Sequence, residues 1–133
     1  MNSIKKGSCL CNRVKFNYSG EPIRLSLCHC KMCQKFSGGP FGAFIDLNKC
    51  DFNFTSGLEF VKEYKSSQSA CRKFCSECGS SLIYFSHEYP DVLSVSAGAF
   101  EDDPGVRPSR HIFVKDQCPW FKITDDLKQV ARS

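Results

Sequence analysis

Three cysteines close together, Cys28, Cys30 and Cys33, are the residues of this sequence best suited to chemistry. Cys28 and Cys30 are two positions apart, so their side chains leave an extended segment on the same face. Cys30 and Cys33 have the C-x-x-C spacing of a turn that directs two sulfurs at one metal ion. Three thiolates suit zinc, which commonly takes four ligands. The spacing therefore predicts a zinc ion with an unassigned fourth position, and a candidate reaction site there.

The fourth ligand of this zinc could also come from the protein. Such a ligand would make the segment a second structural zinc site, and the sequence alone favours neither alternative. The residues that could supply it are His29, His87, His111, Cys50 and Cys118. The cysteines outside any spaced pair, above all Cys71 and Cys118, are most simply small buried apolar residues.

Four other cysteines form two spaced pairs. They are Cys9 and Cys11, in a C-x-C, and Cys75 and Cys78, in a C-x-x-C. Together they supply the four thiolates of a complete structural zinc site. One ion would then join the N-terminal segment to a distant hairpin, and its bonds would offset the entropy of closing a long loop.

Length and composition limit the class of protein. The chain of 133 residues has the size of one domain, residues 1–133, and contains ten cysteines. Its start lacks the apolar segment of a secretory signal, so we expect a cytoplasmic protein whose reduced thiols bind metal. No apolar run reaches the ~18 residues of a membrane span. The net charge of +4 is modest and the basic residues are scattered, so no nucleic-acid partner is expected.

Short alternating segments between turn residues predict a mainly β protein. The predicted strands are 14–18, 23–27, 41–47, 51–55, 58–64, 81–85, 91–97 and 111–115, with another that ends near Phe74. The strand at 23–27 leads directly to Cys28 and is a rigid mount for ligands. The second C-x-x-C is expected at a hairpin tip, where Gly79 can take a positive φ. Only residues 31–36 and 124–130 have any helical pattern.

The order of these motifs resembles that of the glutathione-dependent formaldehyde-activating enzyme family, which also includes centromere protein V. The matching segments are 7–11, 28–35 with Ser37 and Gly38, 74–82, 97–98 and 111–120. They span most of the chain, and their combined specificity is high. One departure from the expected pattern is Cys118, directly before Pro119 and Trp120, which could close the second zinc site if this segment lies near it.

The resemblance implies a zinc-stabilised β-tent of small antiparallel sheets with two zinc ions per chain. The cysteines that match the family's structural site are Cys9, Cys11, Cys75 and Cys78, and those that match its catalytic-type site are Cys28, Cys30 and Cys33. The family's reaction joins formaldehyde to the thiol of glutathione, giving S-(hydroxymethyl)glutathione, and its reverse breaks a carbon–sulfur bond. The resemblance therefore implies a carbon–sulfur lyase whose partner is a small thiol.

Other polar residues near the three-cysteine group are candidates for catalysis or substrate binding. His29 could relay a proton, or it could orient the turn through a hydrogen bond to the backbone. Gln34, Lys35 and Ser37 could bind a carboxylate or an amide of a peptide-like thiol, or they could simply face solvent. His111 is expected to be a partly buried structural residue. Trp120 and Phe121 could wall a pocket, although aromatic residues at a strand end more often belong to a core.

Three functions are compatible with these residues. The first is a zinc-dependent lyase, in which zinc polarises the oxygen of formaldehyde or holds a thiol as thiolate. The second is a non-catalytic, zinc-stabilised binding module, which requires a saturated second zinc site. The third, a redox or metal-buffering protein, follows from cysteine content alone.

Overall fold

The part of the chain described by this computed structural model, residues 4–133, is built mainly from short strands. Residues 1–3, which begin the stretch without an apolar signal segment, lie outside the described residues. The strands are β1 Lys5–Ser8, β2 Lys15–Tyr18, β3 Arg24–Cys28, β4 Gly42–Asn48, β5 Phe52–Ser56, β6 Val61–Lys65, β7 Ala70–Cys75, β8 Ser81–Ser86, β9 Val92–Ser96, β10 Pro108–Ile112 and β11 Lys128–Gln129. The α-helix α1 is Lys31–Ser37. The predicted mainly β class and the predicted helical turn at 31–36 are confirmed.

The strands form two sheets. The larger sheet has eight strands in the order β11-β10-β3-β4-β9-β8-β7-β6, and the smaller has the order β1-β2-β5. In the larger sheet β10 runs parallel to both β3 and β11, and the other pairs are antiparallel. None of the helices in residues 4–133 is long and apolar enough to cross a membrane.

The two faces of the larger sheet differ in polarity. Leu25, Ile45 and Val95 are cross-strand neighbours and are buried in the main core. Because side chains alternate along a strand, Arg24 and Asp46 lie on the opposite face, also as neighbours. The main core also contains buried side chains of β2, so it joins the two sheets. The second face carries these polar residues together with a smaller apolar cluster around Cys28, Cys33 and Phe44, and the candidate site lies there.

The strand β1 has no alternating apolar residues and was not expected from the sequence. It pairs with β2, and Gly7 lies opposite Phe16. A Cβ atom at Gly7 would overlap the ring of Phe16 and the carbonyl oxygen of Ala99, so the close approach of these segments requires glycine.

The C-terminal third differs most from the sequence prediction. The strand predicted at 111–115 is instead β10, which ends before Phe113 because that residue takes a left-handed φ of 55°. A 3-10 turn, Val114–Asp116, follows. The helix suggested by the pattern at 124–130 is not formed. This segment contains β11, and the N–H of Val130 donates to the carbonyl of His111 at 2.8 Å. Pairing with β10 supplies the backbone hydrogen bonds that a helix would have provided.

Candidate metal centre and adjoining cavity

The two spaced cysteine pairs come together at one end of the molecule. The Sγ atoms of Cys9, Cys11, Cys75 and Cys78 all lie within 4.8 Å of one another. The Sγ atoms of Cys9 and Cys11 are 3.5 Å apart, and those of Cys11 and Cys75 are 3.8 Å apart. Burial raises the pKa of Cys75 to about 11, so a bound cation is what would favour its thiolate. Four sulfur donors at this spacing fit a structural zinc ion, and these residues could hold a metal.

The hairpin tip between β7 and β8 positions half of this group. Gly79 has a φ of +77°, and its N–H donates to the carbonyl of Cys75 at 2.8 Å. The hydroxyl of Ser80 accepts a hydrogen bond from the N–H of Leu10 at 2.9 Å, which ties the tip to the N-terminal loop. The predicted hairpin and its glycine are confirmed.

Cys28, Cys30 and Cys33 form a second group whose Sγ atoms also lie within 4.8 Å of one another. Cys28 ends β3, and Cys30 is the N-cap of α1, its Sγ accepting a hydrogen bond from the N–H of Cys33 at 3.3 Å. Among residues 4–133, no fourth cysteine, histidine or carboxylate belongs to this group. The alternatives in which Cys118, Cys50 or a histidine completes it are therefore not supported by the geometry.

The three thiols of this group share their protons unequally. Hydrogen bonds from the thiols of Cys28 and Cys33 lower the pKa of Cys30 to about 2. The pKa of Cys28 is raised because its thiol donates to Cys30 and Cys33 and because burial penalises its charge. The free cluster therefore favours a single thiolate. A divalent cation is what would let all three ionise, so its binding would release protons.

Arg72, on β7, is a member of this site that the sequence did not indicate. It is 5% exposed, and its two terminal nitrogens lie 3.6 and 3.7 Å from Sγ of Cys33. The guanidinium lies 5.2 Å from the ring centre of Phe36 and 4.9 Å from that of Tyr84. A buried arginine with a sulfur partner and two aromatic rings is held in one orientation. The signal that the sequence offered was a pair of charged residues, Arg72 and Lys73, inside a strand whose other residues are apolar.

A cavity of about 460 Å³ opens beside the three cysteines, on the face of the larger sheet opposite the main core. Cys28, Ser26 and Arg24 are every second residue of β3, so their side chains lie on the same face of the sheet. They line the cavity in that order. The charged side chains that line it are Arg24, Arg72, Arg110 and Asp46, so arginines outnumber acidic groups. The cavity can thus receive a ligand that is negatively charged.

His29 lies behind the cysteines and is not among the residues that line the cavity. It is 1% exposed, and its Nε2 is 2.8 Å from Nδ1 of His111. The side chain of His111 is also 1% exposed, and its Nε2 is 3.0 Å from the carboxylate of Asp125. Because the carboxylate accepts from His111, Nδ1 of His111 is left to accept from His29. Burial, with a smaller contribution from His111, lowers the pKa of His29, so this histidine stays neutral.

The predicted substrate contacts and the aromatic residues of the C-terminal motif lie away from the cavity. Nε2 of Gln34 donates to the carbonyls of His29 at 2.7 Å and Asp116 at 3.0 Å. The hydroxyl of Ser37 donates to the carbonyl of Phe41 at 2.9 Å, and Lys35 is exposed. Two expectations about the C-terminal motif need correction. Trp120 and Phe121 are exposed rather than part of a core, and His111 is fully rather than partly buried.

The hydrogen-bonded row of His29, His111 and Asp125 leads to a prediction about stability. His111→Phe removes both ring nitrogens and leaves Nε2 of His29 buried without its partner. We expect the free energy of unfolding to fall by about 2–4 kcal/mol. Urea unfolding with an unchanged slope would measure the loss as a lower midpoint. Equal midpoints for the two proteins would contradict the role of this hydrogen-bonded row in stability.

Asp125→Asn is the matched control, because asparagine retains an oxygen that can accept from His111. We expect a smaller loss than for His111→Phe. The hydrogen bond from His111 lowers the pKa of Asp125, so the carboxylate stabilises the fold above the ordinary carboxyl pKa of about 3.9. That contribution is lost as the pH falls through the lower pKa of the folded state, and it should be absent from the pH profile of the asparagine variant.

Comparison with known proteins agrees with this geometry. The family model for the glutathione-dependent formaldehyde-activating enzyme matches residues 4–116. Because this match covers most of the chain, the protein belongs to the glutathione-dependent formaldehyde-activating enzyme family. The recognition made from the cysteine motifs is therefore confirmed.

Two curated relatives and one solved structure are similar to the chain. A Halomonas elongata protein named "Putative glutathione-dependent formaldehyde-activating enzyme" is 29% identical, over 90% of this chain and 81% of its own length. An uncharacterized lyase of Schizosaccharomyces pombe is 38% identical, over 84% of this chain and 80% of its own length. A crystal structure of a Rhodobacter sphaeroides protein has the same fold, with a TM-score of 0.63, 21% identity, and coverage of 77% of this chain and 97% of that one. The family match and the two curated relatives support an enzyme role.

Proposed function

We propose that the protein is a zinc-dependent carbon–sulfur lyase that forms or cleaves an adduct of a small thiol with formaldehyde. The observation that carries the proposal is the three-cysteine group, which has no fourth protein ligand within residues 4–133 and lies beside a cavity. Glutathione is the default thiol, because the matching family model and the Halomonas relative bear its name. We also expect the cytoplasm as the compartment, because reduced thiols are needed at both cysteine groups.

The proposed cofactor is two zinc ions per chain. Cys9, Cys11, Cys75 and Cys78 would hold the first, and Cys28, Cys30 and Cys33 would hold the second. When bound at the second group, zinc supplies Lewis acidity and an affinity for thiolate sulfur. Three thiolates and Zn²⁺ carry a net charge of −1, and Arg72 beside Cys33 offsets it.

The side chains of the cavity would bind and orient the reactants. The sulfur of the thiol forms a bond to the carbonyl carbon, the C=O π bond opens, and the proton of the thiol ends on the new hydroxyl oxygen. Phe44, Ile112 and Phe113 pack around the cysteines and would exclude water from the cysteine end of the cavity. Since thiols add to formaldehyde without help, holding the two reactants together accounts for much of the expected gain.

Exchange NMR tests this proposal directly. Purified protein with a measured zinc content, mixed with glutathione and formaldehyde, is expected to accelerate exchange between free glutathione and S-(hydroxymethyl)glutathione. The control is Cys30→Ser, which removes one sulfur of the second group and should return the rate to the uncatalysed value. A fully metallated protein that exchanges no faster than the buffer would overturn the lyase proposal.

The binding-module alternative makes a different prediction for the same sample. It requires a saturated second zinc site, and no fourth ligand is present in the part of the chain described. Zinc X-ray absorption that shows four protein sulfurs at each ion would favour it. Three sulfurs and one lighter atom at one ion would favour the lyase.

A further inference from the structure

The end of the cavity away from the cysteines has a built arrangement of charged groups. Nε of Arg110 lies 3.0 Å from the hydroxyl of Ser26, its neighbour across the β10–β3 pair. Nε of Arg24 lies 2.8 Å from the carboxylate of Asp46, which also accepts from Ser94 at 2.7 Å. Each arginine is therefore held by its Nε, and its plane is fixed.

The terminal nitrogens of Arg110 are free to bind a ligand. No acceptor for them is found in residues 4–133, and the side chain lines the cavity. Asp46 is the one acidic side chain among the described cavity residues, and it is already engaged by Arg24 and Ser94. A guanidinium with two unused donors in a fixed plane suits a carboxylate, which it can bind through two parallel hydrogen bonds.

The spacing along the sheet relates this group to the cysteines. Ser26 is two residues before Cys28 on the same face of β3, which is about 7 Å. Arg110 is the neighbour of Ser26, and Arg24 is a further two residues away. A ligand whose sulfur lies at the cysteines would therefore place groups several bonds from that sulfur beside Arg110.

We infer that Arg110, supported by Arg24, forms a subsite that binds a carboxylate of the thiol substrate. This inference rests on the proposed function and names its substrate class: thiols that carry a carboxylate at a distance from sulfur, as a peptide thiol does. Arg110 is a specificity-determining residue, whereas the carbon–sulfur chemistry takes place at the other end of the cavity. Small neutral thiols fill only the cysteine end and gain nothing from the subsite.

The test uses binding and turnover on the same full-length, zinc-loaded protein. S-Methylglutathione has no free thiol and cannot react, so its titration by NMR reports binding alone. We expect Arg110→Gln to weaken this binding roughly tenfold, as for loss of a charge-assisted pair. Arg107→Gln, on an exposed arginine that pairs with Asp103 outside the cavity, is the matched control and should bind as the wild type does. Arg24→Gln is a second variant should Arg110→Gln not fold.

Turnover separates this subsite from the lyase proposal. In exchange NMR, Arg110→Gln is expected to raise the KM for glutathione roughly tenfold, with a smaller change in kcat. The preference of the wild type for glutathione over its diethyl ester should fall by the same factor. Binding of S-methylglutathione that depends on Arg110, without any catalysed exchange, would overturn the lyase and leave the subsite standing. Catalysed exchange with equal affinity in the wild type and Arg110→Gln would overturn the subsite alone.

Discussion

Cys75→Ala is expected to leave the chain unfolded at 25 °C. Cys75 is fully buried at the end of β7, and its Sγ lies within 4.8 Å of three other cysteine sulfurs. Structural zinc binding supplies about 10–16 kcal/mol in small zinc domains, whereas a whole domain is stable by about 5–15 kcal/mol. Losing one of four ligands thus removes a free energy comparable to the total. Circular dichroism and zinc content per chain would measure the result.

Cys71→Ala is the matched control for this prediction. Cys71 is on the same strand and is 6% exposed, but it belongs to neither cysteine group. The same truncation there removes only packing, at a cost of about 1–2 kcal/mol, so the protein should fold and retain its zinc. If both variants fold equally well, the four-cysteine group does not hold a structural metal.

Arg72→Gln is expected to have the largest effect on turnover of any change outside the cysteines. Its two terminal nitrogens contact Cys33, and a hydrogen bond to a charged group is worth about 1.5–3 kcal/mol. Losing this contact leaves the negative charge of the ligand set uncompensated in a buried place. We expect the rate of catalysed exchange to fall by about 10- to 100-fold, together with weaker zinc affinity at the second group. Exchange NMR and competition with a chromophoric chelator would measure the two effects.

Two further variants make this prediction specific. Arg72→Lys retains the charge but loses the planar fork and its stacking on Phe36 and Tyr84, so we expect partial recovery. Lys73→Gln removes a neighbouring charge that lies near Glu63 and does not line the cavity, and it should exchange as the wild type does. Full activity in Arg72→Gln would show that the ligand set needs no compensating charge.

The sequence predicted the cysteine groups well because the evidence for them is local. A C-x-C or a C-x-x-C brings two sulfurs together through a single turn, whatever surrounds it. The hairpin at Cys75–Gly79 and the strand that leads to Cys28 followed from alternation and turn residues for the same reason. The sequence could not show what lies beside each group, since those neighbours come from other strands.

The sequence prediction misplaced two elements, for different reasons. The alternating pattern continues through Val114 and Lys115. The strand nevertheless ends at Ile112, because Phe113 takes a left-handed φ. Residues 124–130 have a weak helical pattern, and pairing with β10 overrides it. At 124–130 the local helical propensity is therefore weaker than the hydrogen bonds that the neighbouring strand provides.

The sequence by itself determined the mainly β class, the two cysteine groups and the family. These depend on residue types and short spacings, and the rules of metal coordination and of strand alternation relate such spacings directly to structure. The tertiary structure alone decided that the three-cysteine group faces a cavity, that Arg72 contacts Cys33, and that Arg110 meets Ser26 from 84 residues away. It also decided that the ring of His29 is hydrogen-bonded to His111 and does not line the cavity. These contacts depend on the pairing of distant strands, which the packing of the whole sheet sets and no single segment encodes.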